Sequence, residues 1–425
     1  MKKLLMLGSN NGSVYIIKKA RERGLYTIVT DDQELSASPA KKSADEIWDI
    51  STADVDCLEK RCREEGVEAV ICGVSEFNLD RCLELTDHLG LHWYFTAEAW
   101  SYSRNKIKFK QACRETGLPT AEDFPVPENL EDWSEITFPV VVKPADMCAN
   151  RGLSFCNCRE ELPAACRNAE SLSPSGKILV EKKIQGKEFL AYYAMAEGEC
   201  SLVSLSAAYF QPGKPSFCYS INTSVVSDLA RYIETTDRKA AEMLKHIGCR
   251  EGFGWIQFMM DEAGTFYAIE MGYRLPGDSG YIPFYEACSF DAVDWLLDCS
   301  LGIRHTKEEL PVPLRVPFEK PACSYVLWSD CGGTVTEISG FDKLSDIPGV
   351  LLEINVHKGD RIEPFQQLAN VVFSSGCCEE MCSRLKEVND VVSVRCQGED
   401  GESRDVLIRY TDYEFLMETD RKGRK

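Results

Sequence analysis

The sequence predicts a chain of mixed α/β and α+β class, with a parallel α/β front, a mixed centre and a small β-rich C-terminal part. Three observations carry that expectation. Strand and helix signals alternate over the first hundred residues. A hairpin with period-two alternation follows a helix near the middle of the chain. Beyond Gly302, prolines give way to short strands separated by glycine turns. The boundaries fall at 1–103, 104–303 and 304–425, and 425 residues suit two or three domains.

Element by element, Lys3 to Leu7 is a short apolar strand, Gly8 to Gly12 a polar turn, and Val14 to Arg23 a helix ended by Gly24. Tyr26 to Thr30 is a second strand. A helix over Val55 to Glu65, a strand over Ala69 to Cys72 and a helix over Asn78 to Leu89 complete the βαβ rhythm of a parallel sheet with helices on both faces. The first turn invites a dinucleotide reading, but Asn10 stands where GxGxxG needs a glycine for backbone approach to a pyrophosphate. A plain strand-to-helix turn is the expectation. Ser103-Arg104-Asn105 can cap a helix over Lys106 to Glu115, which Gly117-Leu118-Pro119 stops. Val140 to Pro144 is a strand, followed by a polar loop through Arg151-Gly152, a helix around Glu160 to Ala169 and a strand over Lys177 to Glu181. Glu188 to Ala196 and Ser201 to Tyr209 are further strands, and a helix from Asp237 to Ile247 leads into the hairpin. Beyond the prolines, Ser324 to Trp328, Gly349 to Val356 and Leu368 to Phe373 are strands, Glu379 to Val388 a helix and Val391 to Cys396 a strand. The tail from Arg421 to Lys425 is a charged, disordered end.

Composition narrows the function. With 48 Lys and Arg against 68 Asp and Glu, the formal charge is −20, so sequence-independent binding to nucleic acid or anionic lipid is not expected. The apolar run at Met1 to Leu7 is too short for the core of a signal peptide, and no stretch approaches a membrane span. A cytoplasmic protein is expected. Its 20 cysteines are then reduced thiols, many of them small buried hydrophobes. Their spacing does not suit a metal site, and the five histidines form no HxxxH pair.

The hairpin carries the chemistry. Residues 254–260 alternate, Asp261-Glu262-Ala263-Gly264 turn, and Thr265 to Glu270 alternate again. Folding about that turn pairs Gln257 with Ala268 and leaves Glu270 as a diagonal neighbour of Gln257, roughly 7–8 Å away. Two side chains so placed can converge on one metal ion. Ile256, Phe258, Tyr267 and Ile269 make the opposite, core face. Arg274 follows Glu270 by four residues among glycine turns, better placed for a site than for a surface. Upstream, Lys143 ends one apolar strand and Glu181 another, with Glu188 shortly after.

In this order the motifs resemble the ATP-grasp superfamily, in its carboxylate–amine (amino-acid) ligase branch, similar to biotin carboxylase and glycinamide ribonucleotide synthetase-type enzymes. The resemblance runs over residues 1–302. It rests on Asn105-Lys106 through Gly117-Leu118-Pro119, on Phe138-Pro139-Val140-Val141-Val142-Lys143-Pro144, on Val180-Glu181 through Lys187-Glu188, and on Ile269-Glu270-Met271-Gly272-Tyr273-Arg274. It implies a Rossmann-like front domain, an ATP-grasp centre with a mobile lid over about 115–185, and a small β-rich closure. By the same resemblance, Lys106 and Lys143 contact ATP phosphates. Glu181 accepts from the adenine amino group, helped by backbone at Lys182 to Ile184, and Glu188 holds the ribose. Gln257 and Glu270 bind Mg²⁺, with Mn²⁺ as the alternative ion, through the oxygen donors it prefers. Arg274 clamps the substrate carboxylate and its acyl phosphate, and Lys143 assists phosphoryl transfer. The partners implied are a small carboxylate and an amine, with a homodimer compatible.

Three departures stand out. Gln257 replaces an acidic residue, and Gly272 replaces an asparagine. The loop Ala145 to Leu153 has one glycine, so Arg151 is expected to substitute a side-chain charge for backbone contact with phosphate. Tyr209, Tyr219, Asn222, Arg231 and Tyr232 are candidates for the substrate pocket. His357 is a candidate too, although a turn histidine is more often solvated. A biotin-carboxylase-like or glycinamide-type ligase, and a catalytically quiet ATP- or metabolite-binding protein, are the alternatives.

Overall fold

A computed structural model describes the chain except residues 11, 36, 128–129, 131–132, 134, 148–150, 215–217, 400 and 425. In the front sheet, β1 (Lys3–Leu7), β2 (Tyr26–Thr30), β3 (Glu46–Trp48) and β4 (Ala69–Cys72) run parallel in the order β3-β2-β1-β4. Leu4 to Leu7 and Ala69 to Cys72 are all buried, as a sheet covered on both faces requires. Helices α1 (Ser13–Glu22) and α2 (Val55–Glu65) follow the sequence expectation closely. The next, α3 (Glu76–Leu89), starts earlier than expected because Ser75 caps it, accepting from the Asn78 amide.

Ahead of residue 116, one strand and one helix were not foreseen. β3 has only three residues, too few to show a period. Helix α4 (Ala97–Arg104) is capped by Thr96 and hands over at Asn105, which ends it and caps α5 (Lys106–Glu115) through the Ile107 and Lys108 amides. A second four-stranded sheet has the order β5-β8-β6-β7, from β5 (Asp123–Phe124), β6 (Val140–Pro144), β7 (Ser154–Cys156) and β8 (Ile178–Lys182). Helix α6 (Leu162–Leu172) packs on it. The sheet has its own core around Phe124, Val140, Val142, Leu162 and Val180.

The remaining strands are β9 (Lys187–Ala196), β10 (Glu199–Phe210), β11 (Tyr219–Thr223), β12 (Gly252–Met260), β13 (Phe266–Gly272), β14 (Ala322–Ser329), β15 (Gly333–Ser339), β16 (Leu351–Ile354), β17 (Arg361–Ile362), β18 (Gln367–Ser374), β19 (Ser393–Gln397), β20 (Ser403–Asp405) and β21 (Leu407–Ile408). Nine of them form one sheet, ordered β13-β12-β9-β10-β11-β14-β18-β16 with β21 beside β14. The C-terminal strands therefore extend the central sheet, and only β17-β15-β19-β20 stand apart. Glu353 on β16 ties the two ends of the chain. It accepts from the Gly12 amide at the head of α1, from Ser279 Oγ at 2.7 Å and from Asn370 Nδ2 at 3.1 Å. A protein carboxylate thus takes the helix-terminal amide that a dinucleotide fold would offer to phosphate.

The tail corrects an expectation. Tyr413–Gly423 is helical, capped by Asp412 and anchored by buried Leu416, and Arg424 donates to the Phe318 carbonyl at 3.1 Å. The charges at Arg421 and Lys422 lie on the last turn, where they oppose the helix dipole. Lys425 is outside the described residues. All 19 described cysteines are free thiols. Among the described residues, no helix is long and apolar enough to cross a membrane.

The loop between β8 and β9 crosses the end of β12 at Gly186. Its φ is 150°, and a Cβ there would lie 1.8 Å from the Met260 carbonyl oxygen. Backbone cannot yield as a side chain can. Gly186→Ala is therefore expected to cost about 2 kcal/mol or more, read as a lower urea midpoint at unchanged slope.

Candidate active site

Three elements meet at a buried carboxylate. Glu181 on β8 receives Lys143 Nζ from β6 at 2.5 Å and Lys110 Nζ from α5 at 2.7 Å, and each of these side chains is 5% exposed or less. Lys110 also donates to the Ala121 carbonyl at 2.9 Å and pairs with Asp123. Burial alone would raise the Glu181 carboxyl, but Lys143 and Lys110 hold it below its ordinary range.

Lys106 opens α5 with its amide on the Ala145 carbonyl at 2.9 Å. Its Nζ donates to the Met147 carbonyl at 2.7 Å and lies 3.2 Å from Glu270 Oε2. The hairpin register corrects the sequence reading here. Phe258 pairs with Ala268, a bulge follows, and Gln257 lies directly opposite Glu270. The extra residue, Ile269, shifts the phase of β13. On the turn side of the bulge, the pairing of Phe258 with Ala268 makes Phe266 and Ala268 the buried positions, while Tyr267 and Ile269, expected in the core, are only half-buried.

A row of oxygen-bearing side chains now crosses three strands: Glu188 on β9, Gln257 on β12 and Glu270 on β13. Gln257 Nε2 donates to Glu188 Oε1 at 2.6 Å, which leaves the amide oxygen of Gln257 for another partner. Burial pushes the Glu188 carboxyl up to about 7; the Gln257 bond opposes this and the charge of Glu270 adds to it. Burial works on Glu270 as well, but Lys106, Lys143 and Arg274 outweigh it and keep this carboxyl below its ordinary range. Glu270 is therefore the ionised member of the row. Among the described residues no three His, Cys, Asp or Glu side chains cluster as a metal site. One carboxylate and one amide oxygen still fit Mg²⁺, which uses few protein ligands and takes the rest from water and phosphate.

Arg274 is held from several sides. Its Nη2 lies 3.1 Å from Glu76 Oε1, its Nη1 donates to the Leu275 carbonyl at 2.8 Å, and its guanidinium lies 5.3 Å from the centre of the Trp255 ring. Arg104 binds the other oxygen of Glu76. Glu76, Arg104, Lys106, Trp255, Glu270 and Arg274 line one narrow cleft. Position 272 has no side chain and no room for one: Trp255 lies opposite it, and a Cβ on Gly272 would come within 2.4 Å of the indole.

The structure thus gathers Lys106, Lys143, Glu181, Glu188, Gln257, Glu270 and Arg274. At the hinge, the amides of Lys182 and Lys183 are taken by the carbonyls of Glu122 and Pro139, at 2.9 and 3.0 Å. Among the described residues the Ile184 amide has no backbone partner. Arg151 is exposed on the turn into β7, and 148–150 of the expected phosphate loop lie outside the described residues. The remaining candidates have the following surroundings. The Tyr209 hydroxyl donates to the Val225 carbonyl at 2.6 Å, Tyr232 is buried on Tyr193 at 2.8 Å, and Arg231 is exposed near the Ala263 carbonyl. Asn222 is buried and donates to Asp278 at 2.5 Å, and Tyr219 is half-buried with its carbonyl bonded to the Trp328 indole. His357 is an exposed turn residue 3.5 Å from Asp360. Lys110, Glu76, Arg104 and Trp255 were missed. Only Lys110 had a signal, standing one helical turn after Lys106 on the same face.

Comparison with known proteins bears on the fold. Residues 105–281 match the family described as the carbamoyl-phosphate synthase L chain, ATP-binding domain. The fold is that of the ATP-grasp enzymes. Over 201 residues it is 31% identical to a D-alanine–D-alanine ligase of Saccharophagus degradans, covering 44% of this chain and 60% of that one. It spans less than two thirds of the length of the first curated relatives it matches. The L-amino acid ligase from Bacillus licheniformis superposes with a TM-score of 0.77 at 20% identity, over 94% of this chain and 99% of that one. The biotin carboxylase domain of Hydrogenobacter thermophilus 2-oxoglutarate carboxylase, solved with MgADP and bicarbonate, gives 0.75 at 19% identity, over 99% and 94%.

Two outcomes follow for this cleft. Glu181→Gln leaves two ammonium groups facing a neutral amide and is expected to cost about 3 kcal/mol in urea unfolding. The second concerns pH. Because the folded Glu188 carboxyl sits near 7 and its ordinary value is 4.5, the folded state holds the extra proton between those values. This contribution is fully present below about 4.5 and fades as pH rises to about 7. Ligand-free melting temperature is expected to fall across that window, and Glu188→Gln to flatten the fall.

Proposed function

We propose that the chain is an ATP-dependent ligase that activates a small carboxylate as an acyl phosphate and couples it to an amine, releasing ADP and phosphate. The observation that carries this reading is the ionised Glu270 beside Lys106, with Lys143 and Arg274 close enough to lower its carboxyl. Three cations thus converge on one carboxylate, an arrangement that can take up a triphosphate and a second anion together.

In this reading the Ile184 amide and the Glu181 carboxylate hold the adenine, and Glu188 the ribose. Lys106 and Lys143 receive phosphate oxygens. Gln257 and Glu270 would hold Mg²⁺, with Mn²⁺ as the alternative, which neutralises phosphate charge when bound. Arg274 fixes the acid so that a carboxylate oxygen attacks the γ-phosphorus and the bond to ADP breaks. The amine then attacks the acyl carbon, the bond to phosphate breaks, and the amine gives up a proton. Positioning and charge neutralisation supply most of the rate. The names of the two amino-acid ligases above favour an amino acid as the acid, the amine or both.

Phosphate release with Mg-ATP across amino acids and amines, followed by product mass, tests the proposal. A product equal to the two substrates less one water is expected. Thermal stabilisation by ATP with no phosphate above background would overturn it and favour a quiet nucleotide-binding protein, the reading that the side-chain-free position 272 supports. Arg274→Ala is expected to lower turnover roughly 100- to 1,000-fold while ATP affinity stays within a few-fold. Equal losses in both would remove Arg274 from the acid site.

A further inference from the structure

We propose that Trp255 is a substrate-binding residue, its indole N–H acting with the Arg274 Nε–H to receive an anionic oxygen of the carboxylate or acyl phosphate; this rests on the ligase reading above.

The cross-strand pair sets the geometry. Trp255 and Gly272 are direct partners in the β12–β13 ladder. A Cβ on Gly272 would meet the indole Cε2, Cζ2 and Nε1 at 2.4, 2.5 and 2.6 Å, so the ring lies over position 272. An aromatic side chain laid over a cross-strand glycine is a stable sheet pairing. Two residues further on, Arg274 brings its guanidinium against the same ring at 5.3 Å. Glu76 and the Leu275 carbonyl occupy its two terminal nitrogens.

What remains is a matched pair of unmet donors. Trp255 Nε1 and Arg274 Nε are both buried and both without a hydrogen-bond partner, and both residues line the cleft that also holds Lys106 and Glu270. Trp255 is only 7% exposed, so water does not readily satisfy its N–H. Each needs an acceptor. The cleft's own carboxylates are committed, Glu76 to Arg104 and Arg274, Glu270 to Lys106, and Asp146 to the Ser173 hydroxyl and the Ser175 amide. The acceptor therefore comes from the ligand, and the cations around it favour a negative oxygen. A side-chain oxygen at 272 would have turned the same spot toward a metal ion. The Trp255–Gly272 pair turns it toward an anion.

Inorganic phosphate in the presence of Mg-ADP is the probe, titrated against protein carrying 5-fluorotryptophan, with the resonance of position 255 assigned by its loss in Trp255→Phe. Phosphate is expected to shift that resonance, and Trp255→Phe to weaken phosphate binding about tenfold with Mg-ADP affinity unchanged. Replacing Trp255 with 3-benzothienylalanine keeps the ring and removes the N–H. The same tenfold loss is expected there, which a purely structural role would not produce. Full phosphate affinity in that protein would overturn the proposal. Mn²⁺ binding to the ADP complex, followed by electron paramagnetic resonance, adds a second readout. Gly272→Asn alone is expected to leave it unchanged, and to strengthen it about tenfold only when combined with Trp255→Ala. A tenfold gain from Gly272→Asn alone would overturn the assignment of the pair. Absence of phosphate release with every acid would defeat the ligase reading, whereas these binding measurements still decide the role of Trp255.

Discussion

A carboxylate buried between two ammonium groups holds this cleft together. Burial alone would disfavour the ionised form of Glu181, and Lys143 and Lys110 outweigh it. The three residues come from β8, α5 and β6, so neutralising them fixes the smaller sheet against the helix that begins at Lys106. Such an arrangement contributes little net stability over an apolar core. Its effect is geometric: it sets where Lys143 stands, and Lys143 in turn acts on Glu270. The overall charge of −20 is thereby reconciled with an anionic ligand, because the cations are concentrated in one place.

The bulge in the hairpin is the second constraint. The turn sets Phe258 rather than Gln257 opposite Ala268, and the unpaired Ile269 adds a second step, so Glu270 becomes the direct neighbour of Gln257. Carboxylate and amide oxygens then share one edge of the cleft, and Glu188 joins them through Gln257. The same register sets Trp255 against Gly272. A missing side chain at 272 looked from the sequence like a weakened metal set. In the fold it is the space that the indole fills.

Legibility in the sequence followed locality. Lys106, Lys143, Glu181, Glu188, Glu270 and Arg274 each sit at an element end that local pattern marks, and their order along the chain resembled a known arrangement. Short apolar strands such as Lys3–Leu7 and Ala69–Cys72, and the helices at Val55–Glu65 and Lys106–Glu115, were legible for the same reason. What escaped depends on contacts between distant segments. Glu76 acquires its role only when α3 meets Arg274, nearly two hundred residues on. The joining of β14 to β11 turns the expected C-terminal β region into an extension of the central sheet. The terminal helix reads as a charged tail unless buried Leu416 and the Asp412 cap are weighed above its lysines and arginines.

The central claim is that this cleft passes a phosphoryl group to a carboxylate. An acid labelled with ¹⁸O in both carboxyl oxygens, turned over with Mg-ATP and an amine in ordinary water, tests it most directly. The account predicts one ¹⁸O atom in each phosphate released, because the attacking carboxylate oxygen leaves with the phosphoryl group. Phosphate free of the label, with its new oxygen drawn from solvent, would mean that the protein hydrolyses ATP without activating the acid.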